Sequence, residues 1–178
     1  MTRIRAVLPA VIALGSNQGD RETTIRSAVQ NIDAIDGVRV TAASGLVGSA
    51  ALKLSGVDDS APGYLNAVIL VSSALPPEEL LHRLQDIENA HGRVRLERWG
   101  DRTLDLDLID FAGLERNSPD LTLPHPRAWE RSFVLVPWAQ IDAHARIPGR
   151  GLVADLLERA TDAAWPVDTA PLLPEADA

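Results

Sequence analysis

Leu104-Asp105-Leu106-Asp107-Leu108-Ile109-Asp110-Phe111 is the stretch that decides the fold. Leucine and aspartate alternate over its first five residues. Side chains on a strand alternate between faces, so Leu104, Leu106 and Leu108 enter a core while Asp105 and Asp107 share the other face. This is a half-buried strand, and it is the fourth strand in the chain. Upstream, Val11-Ile12-Ala13-Leu14 reads as a buried strand that ends at Gly15. Asp20 can cap a helix running to about Asp33, with Ile25, Ala28, Val29 and Ile32 on one face. Val38 to Leu46 reads as a second strand, residues 48–63 as a loop, and Tyr64 to Val71 as a third strand. Pro76-Pro77-Glu78-Glu79 starts a second helix, since prolines suit the first turn and acids its positive end. Leu80, Leu81, Leu84 and Ile87 carry the helical period.

The order is β-α-β-β-α-β, the ferredoxin-like pattern, class α+β, with a mainly antiparallel sheet flanked by helices. Beyond it, Leu121 to Pro126 is a short extended piece and Arg127–Arg131 a helical turn. Phe133 to Val136 reads as a further strand, and 152–160 as a last helix. Residues 1–162 form one domain. Residues 163–178, with Pro166, Pro171 and Pro174, read as a loosely ordered acidic tail.

Composition narrows the chemistry. The chain has 178 residues, no cysteine and a net charge of −8, so thiolate chemistry, cysteine-held zinc and a broad nucleic-acid surface are excluded. Its single lysine, Lys53, is not in a phosphate loop of the Gly-Lys-Ser/Thr type. No apolar run approaches the 18 residues of a membrane helix. The absence of disulfides is compatible with the cytoplasm.

Upstream of the Asp pair lies Gly92-Arg93-Val94-Arg95-Leu96-Glu97-Arg98-Trp99-Gly100-Asp101-Arg102-Thr103. Four arginines stand against Glu97 and Asp101. Guanidinium groups fork onto phosphate oxygens, and paired carboxylates with water suit Mg²⁺. A magnesium–nucleotide site is one explanation; a solvated strand face with surface ion pairs is the other. Tyr64 and Asn66 share a strand face, where Asn can read a heterocycle edge and Tyr can stack. An edge-strand Tyr and a turn Asn would look the same. His125 sits between Pro124 and Pro126, which restrict its backbone. Arg131 precedes Phe133, which opens an apolar run and suits a core as well as a platform. Gln85 and Glu88 lie near the end of the second helix, a poor place for an acid. Gly15-Ser16-Asn17 suits either an anion-binding helix start or a plain corner.

Taken together, Leu14-Gly15-Ser16-Asn17, Tyr64-Leu65-Asn66-Ala67, Glu88 with Gly92-Arg93-Val94-Arg95, Arg98-Trp99-Gly100, Arg102-Thr103-Leu104-Asp105-Leu106-Asp107, and Leu123-Pro124-His125-Pro126-Arg127 with Phe133-Val134-Leu135 resemble 6-hydroxymethyl-7,8-dihydropterin pyrophosphokinase. The resemblance spans roughly residues 10–148. It implies transfer of the β,γ-diphosphate of ATP to the pterin hydroxymethyl group, in folate synthesis. It implies two Mg²⁺ ions on Asp105 and Asp107, and Arg93 and Arg102 as catalytic phosphate ligands. Gln85, Glu88, Arg95, Arg98, His125 and Arg131 would line ATP. Tyr64, Asn66 and Phe133 would hold the pterin, and Trp99 would ride on a closing loop. The partners implied are small molecules, with no nucleic acid or membrane, and a cytoplasmic monomer is expected. The chain departs from the family in the loop after the second strand: Val47, Ser49 and Ala51 replace Tyr, Thr and Pro. Two alternatives stay open: another metal-dependent, nucleotide-using transferase with an Asp-x-Asp site, and a non-catalytic ferredoxin-like binding module.

Overall fold

The structure is a computed structural model, and it describes residues 5–50, 52–53, 56–57, 63–92 and 103–173. Strand β1 (Leu8–Ser16) leads into α1 (Arg21–Asp33), β2 (Val38–Ala43) and β3 (Val47–Ser49). A small hairpin, β4 (Leu52–Lys53) and β5 (Gly56–Val57), precedes β6 (Tyr64–Ser73) and α2 (Pro77–Ala90). Then come β7 (Asp105–Phe111) and the hairpin β8 (Arg116–Asn117) and β9 (Thr122–Leu123). A 3₁₀ turn at Ala128–Glu130 opens into α3 (Ser132–Ile141). The chain finishes with β10 (Arg146–Ile147), β11 (Gly151–Leu152), α4 (Val153–Arg159) and β12 (Ala164–Pro166).

The main sheet runs β12-β3-β6-β1-β7, all antiparallel. β2 lies on the same side of β6 as β3: β2 pairs with Ile69–Ser73 and β3 with Tyr64–Asn66. Strands β2, β6, β1 and β7 with α1 and α2 therefore make the ferredoxin-like α+β core that the element order predicts.

Two apolar layers cover the sheet. On one face Ile25, Ala28, Val29 and Ile32 of α1 and Leu80 and Leu84 of α2 pack on Ile12, Leu14, Ile69 and Leu106. On the other, Val134, Leu135 and Trp138 of α3 and Val153 and Leu156 of α4 pack on Val11, Ala13, Val68 and Ile109. The helix starts follow local chemistry. The Asp20 carboxylate accepts Thr23 N–H at 3.1 Å and the Thr23 hydroxyl at 2.8 Å, which lowers its pKa, with the backbone bond the larger cause. α2 begins on Pro76 and Pro77 followed by Glu78 and Glu79.

β7 carries one irregularity that matters. Its pairing with β1 slips between Val11 and Ile12, so Ile12 faces Leu108 while Val11 faces Asp110. Ile109 is the extra residue of this bulge. Leu104, Leu106 and Leu108 belong to the α1/α2 layer, Ile109 turns into the opposite layer, and Phe111 returns to the first.

Three sequence expectations are corrected. Phe133–Val136 is not a strand but the first half of α3. A short apolar run cannot distinguish a buried strand from a buried helix, and here burial against Val68 and Ile109 decides. The second strand stops at Ala43, and the stretch expected to be a loop contains β3, β4 and β5. Residues 164–173 are not loose. β12 pairs with β3, Leu172 is buried in the α1/α2 layer, and Arg26 of α1 donates to the carbonyls of Ala170 and Pro171. Gly48 makes this docking possible, because a Cβ there would overlap the Trp165 indole.

Candidate active site

The sheet brings residues from four strands into one transverse row. Asp105 of β7 pairs with Gly15 of β1, Gly15 with Asn66 of β6, and Asn66 with Val47 of β3. Directly paired residues point to the same face, and neighbouring strands lie about 4.8 Å apart, so the Asp105 and Asn66 backbones stand about 10 Å from each other across Gly15. The next row holds Asp107, Ala13 and Val68. Between the carboxylates and the amide the floor is thus built of Gly15 and Ala13, which leave space above the sheet.

Asn66 is only 3% exposed. Its Nδ2 donates to the Val47 carbonyl at 3.1 Å and to the Ser49 hydroxyl at 2.9 Å. Both amide hydrogens are therefore committed to β3, and Oδ1 is turned toward Gly15, whose missing Cβ would lie 3.3 Å from it. Tyr64 follows on the same face, with its Cδ1 3.6 Å from that point. Sequence reasoning missed Ser49 and Val47 as the partners of Asn66. The signal for Ser49 was the family loop itself, where a hydroxyl residue is replaced by another hydroxyl residue.

Asp105 and Asp107 are half-buried on their expected face, while Leu106 and Leu108 are buried on the other. His125 docks beside them: its N–H donates to the Ile109 carbonyl at 2.9 Å, and its Nδ1 accepts from Arg127 N–H at 3.2 Å. The neutral ring then carries its proton on Nε2. Burial lowers the His125 pKa, the Asp107 charge opposes that shift, and Arg131 and Arg127 add to it. Burial also lowers the Arg131 pKa, against the opposing charges of Asp107 and Asp105. Arg131 lies over the Phe133 ring at 5.6 Å. Both residues belong to the start of α3, which packs over β6 and β3.

Glu88, 3% exposed, sits at the far edge of β7, where a carboxylate oxygen accepts Leu106 N–H at 3.3 Å. It covers an edge-strand donor. Gln85 lies one helical turn before it and is half-buried. The 15–20 corner buries Ser16 and Asn17 and is closed by the Asp20 cap. Arg93, Arg95, Arg98, Trp99 and Arg102 lie outside the described residues.

The fold and this site define an α+β protein of ferredoxin-like architecture, with strand carboxylates at one end of a sheet face and a buried amide at the other. Residues 11–143 match the family model described as 7,8-dihydro-6-hydroxymethylpterin-pyrophosphokinase (HPPK). The chain is 44% identical over 132 residues to the 2-amino-4-hydroxy-6-hydroxymethyldihydropteridine pyrophosphokinase of Bacillus subtilis, covering 74% of this chain and 77% of that one. It is 35% identical over 156 residues to the Haemophilus influenzae protein of the same name, covering 88% and 95%. Among solved structures, wild-type Plasmodium falciparum HPPK-DHPS with pteroate superposes with a TM-score of 0.68 at 10% identity. That alignment covers 89% of this chain and 43% of the Plasmodium chain, so this chain spans less than half of its length, and the likeness is one of fold. The chain belongs to the 7,8-dihydro-6-hydroxymethylpterin-pyrophosphokinase family.

Proposed function

We propose that the protein transfers the β,γ-diphosphate of ATP to the hydroxymethyl group of 6-hydroxymethyl-7,8-dihydropterin, releasing AMP, as a step of folate synthesis. Family membership supports the reaction class. The observation that carries the reading at the level of residues is the shared sheet face of Asp105, Asp107 and Asn66. The Asp105 and Asn66 backbones stand about 10 Å apart on that face, which supports a reading in which the carboxylates serve the phosphates and the amide serves the pterin.

The Asp pair fits Mg²⁺. It offers hard oxygen donors side by side, and among the described residues no third His, Asp or Glu joins them to form an all-protein cage. That suits an ion completed by phosphate and water oxygens. Asp105 and Asp107 would hold two such ions, which when bound neutralise phosphate charge and lower the pKa of the attacking hydroxyl.

The chain's own side chains supply the rest. Asn66 Oδ1 accepts from the ring N–H groups of the pterin, since its Nδ2 is occupied. Tyr64 and Phe133 offer the stacking planes. His125, kept neutral by burial, donates from Nε2 to a phosphate oxygen without adding charge. Arg131 supplies fixed positive charge, as do Arg93 and Arg102, with Arg95 and Arg98 assisting. Gln85 borders the nucleotide, Glu88 acts through Leu106, and Trp99 closes over the site. Such transfer is governed by positioning and charge, so no covalent nucleophile is required. We further assign the protein as a cytoplasmic monomer with small-molecule partners only.

The test is product identity. Incubation with the pterin, ATP and Mg²⁺ is expected to release AMP only when the pterin is present. Release of ADP, or turnover indifferent to the pterin, overturns the assignment.

A further inference from the structure

Arg131 and Phe133 flank Ser132 at the start of α3, where the first N–H groups have no partner inside the helix. Arg131, the residue at the cap position, makes no side-chain cap. Asp162, thirty residues further on, supplies it. Its Oδ2 accepts Ser132 N–H at 2.9 Å, its Oδ1 accepts the Ser132 hydroxyl at 2.7 Å, and its backbone carbonyl lies 3.2 Å from the same hydroxyl. Ser132 is 4% exposed while Asp162 itself is exposed, so these bonds are shielded from water on the Ser132 side only. Two residues later the chain enters β12, and Ala164 pairs with Ser49. Ser49 is the residue whose hydroxyl accepts the Asn66 amide. Two extended residues span about 7 Å. One short segment therefore ties the helix that carries Phe133 to the strand that orients Asn66.

We propose that Asp162 is a positioning residue that sets the gap between Phe133 on one side and Tyr64 and Asn66 on the other, and so the width of the pterin site; this rests on the functional reading above. The helix itself does not depend on Asp162. Val134, Leu135 and Trp138 bury its inner face. Loss of the cap frees the first turn, where Arg131 and Phe133 lie, and leaves the rest packed.

The experiment measures pterin dissociation constants of the whole protein by fluorescence titration, alongside thermal melts. Asp162→Ala is expected to raise the pterin Kd about tenfold, the scale of a lost charge-assisted hydrogen bond. Asp162→Asn should restore it to within about twofold, because the amide can still accept from Ser132 N–H and donate to its hydroxyl. A lowered melting temperature with unchanged pterin Kd in Asp162→Ala overturns the proposal, since a merely structural role predicts that result. So does failure of Asn to rescue. Should Asp162→Ala fail to fold, Ser132→Ala carries the test: it removes one of the bonds and should raise the Kd about threefold, and unchanged binding overturns the proposal. A wild-type protein that takes up no pterin overturns the functional reading and this inference together, whereas wild-type binding matched by Asp162→Ala overturns the inference alone.

Discussion

Gly15 stands directly opposite Asn66 across the β1–β6 pair, and a Cβ on Gly15 would sit 3.3 Å from the Asn66 amide oxygen. The Asn66 amide cannot easily retreat, since its Nδ2 is held by Val47 and Ser49. Gly15→Ala therefore pushes on the atom assigned to read the pterin. Its pterin KM is expected to rise about tenfold, with a stability loss of about 1 kcal/mol. Steady-state kinetics with each substrate varied in turn should show the effect in pterin and not in ATP. An unchanged pterin KM would remove the Asn66 oxygen from the site.

Asp107→Ala should release AMP about a thousandfold more slowly, the loss expected when phosphate charge is no longer balanced. Near-UV circular dichroism should be unchanged, because Leu106 and Leu108 keep the core face of β7. The same variant carries an electrostatic signature. The Asp107 charge holds the His125 pKa up against burial, so its removal should move the His125 titration midpoint further below 6.5. An NMR titration of the imidazole checks the direction; an unchanged midpoint would mean the two side chains do not sense each other.

Glu88→Ala should destabilise the fold by about 1–3 kcal/mol, since it strips a buried acceptor from Leu106 N–H at the sheet edge. Glu88→Gln keeps an acceptor oxygen and should cost less. Urea denaturation of the two variants ranks them. Equal stability of Glu88→Ala and the parent would show that the edge of β7 needs no cover.

Asp110 offers a pH test. Burial raises its pKa, and the bond from Gly113 N–H only partly offsets this. The folded state then binds the proton more tightly than the unfolded state, so Asp110 lowers stability as pH rises from 3.8 through its raised folded value, and the cost persists above it. Asp110→Asn should raise the melting temperature at pH 7 by about 2 °C. The advantage should vanish at pH values below 3.8, where both side chains are neutral. A gain that is the same at both pH values would assign it to packing instead of ionisation.

Much of the core was legible in the sequence because its signals are local. The Leu/Asp alternation of 104–108 sorted Asp105 and Asp107 from the core. Asp20 announced α1, and Pro76-Pro77 announced α2. The candidate site residues Tyr64 and Asn66 were legible as a pair two apart on a strand. What the pair needs was not: Asn66 depends on Ser49, seventeen residues away, and on the absence of a side chain at Gly15.

By itself, then, the sequence determined the βαββαβ order, the inward leucines and the outward carboxylates, since each follows from spacing between near neighbours. The tertiary structure alone decided three things. It turned Phe133–Val136 into helix, because an apolar run of that length takes the form its surroundings can bury. It placed Ile109 in the bulge that lets His125 dock beside Asp107, because register is set by the partner strand. And it drew residues 162–166 onto Ser132 and Ser49, because a cap thirty residues from its helix and a strand pair more than a hundred residues apart leave no periodic trace in the chain.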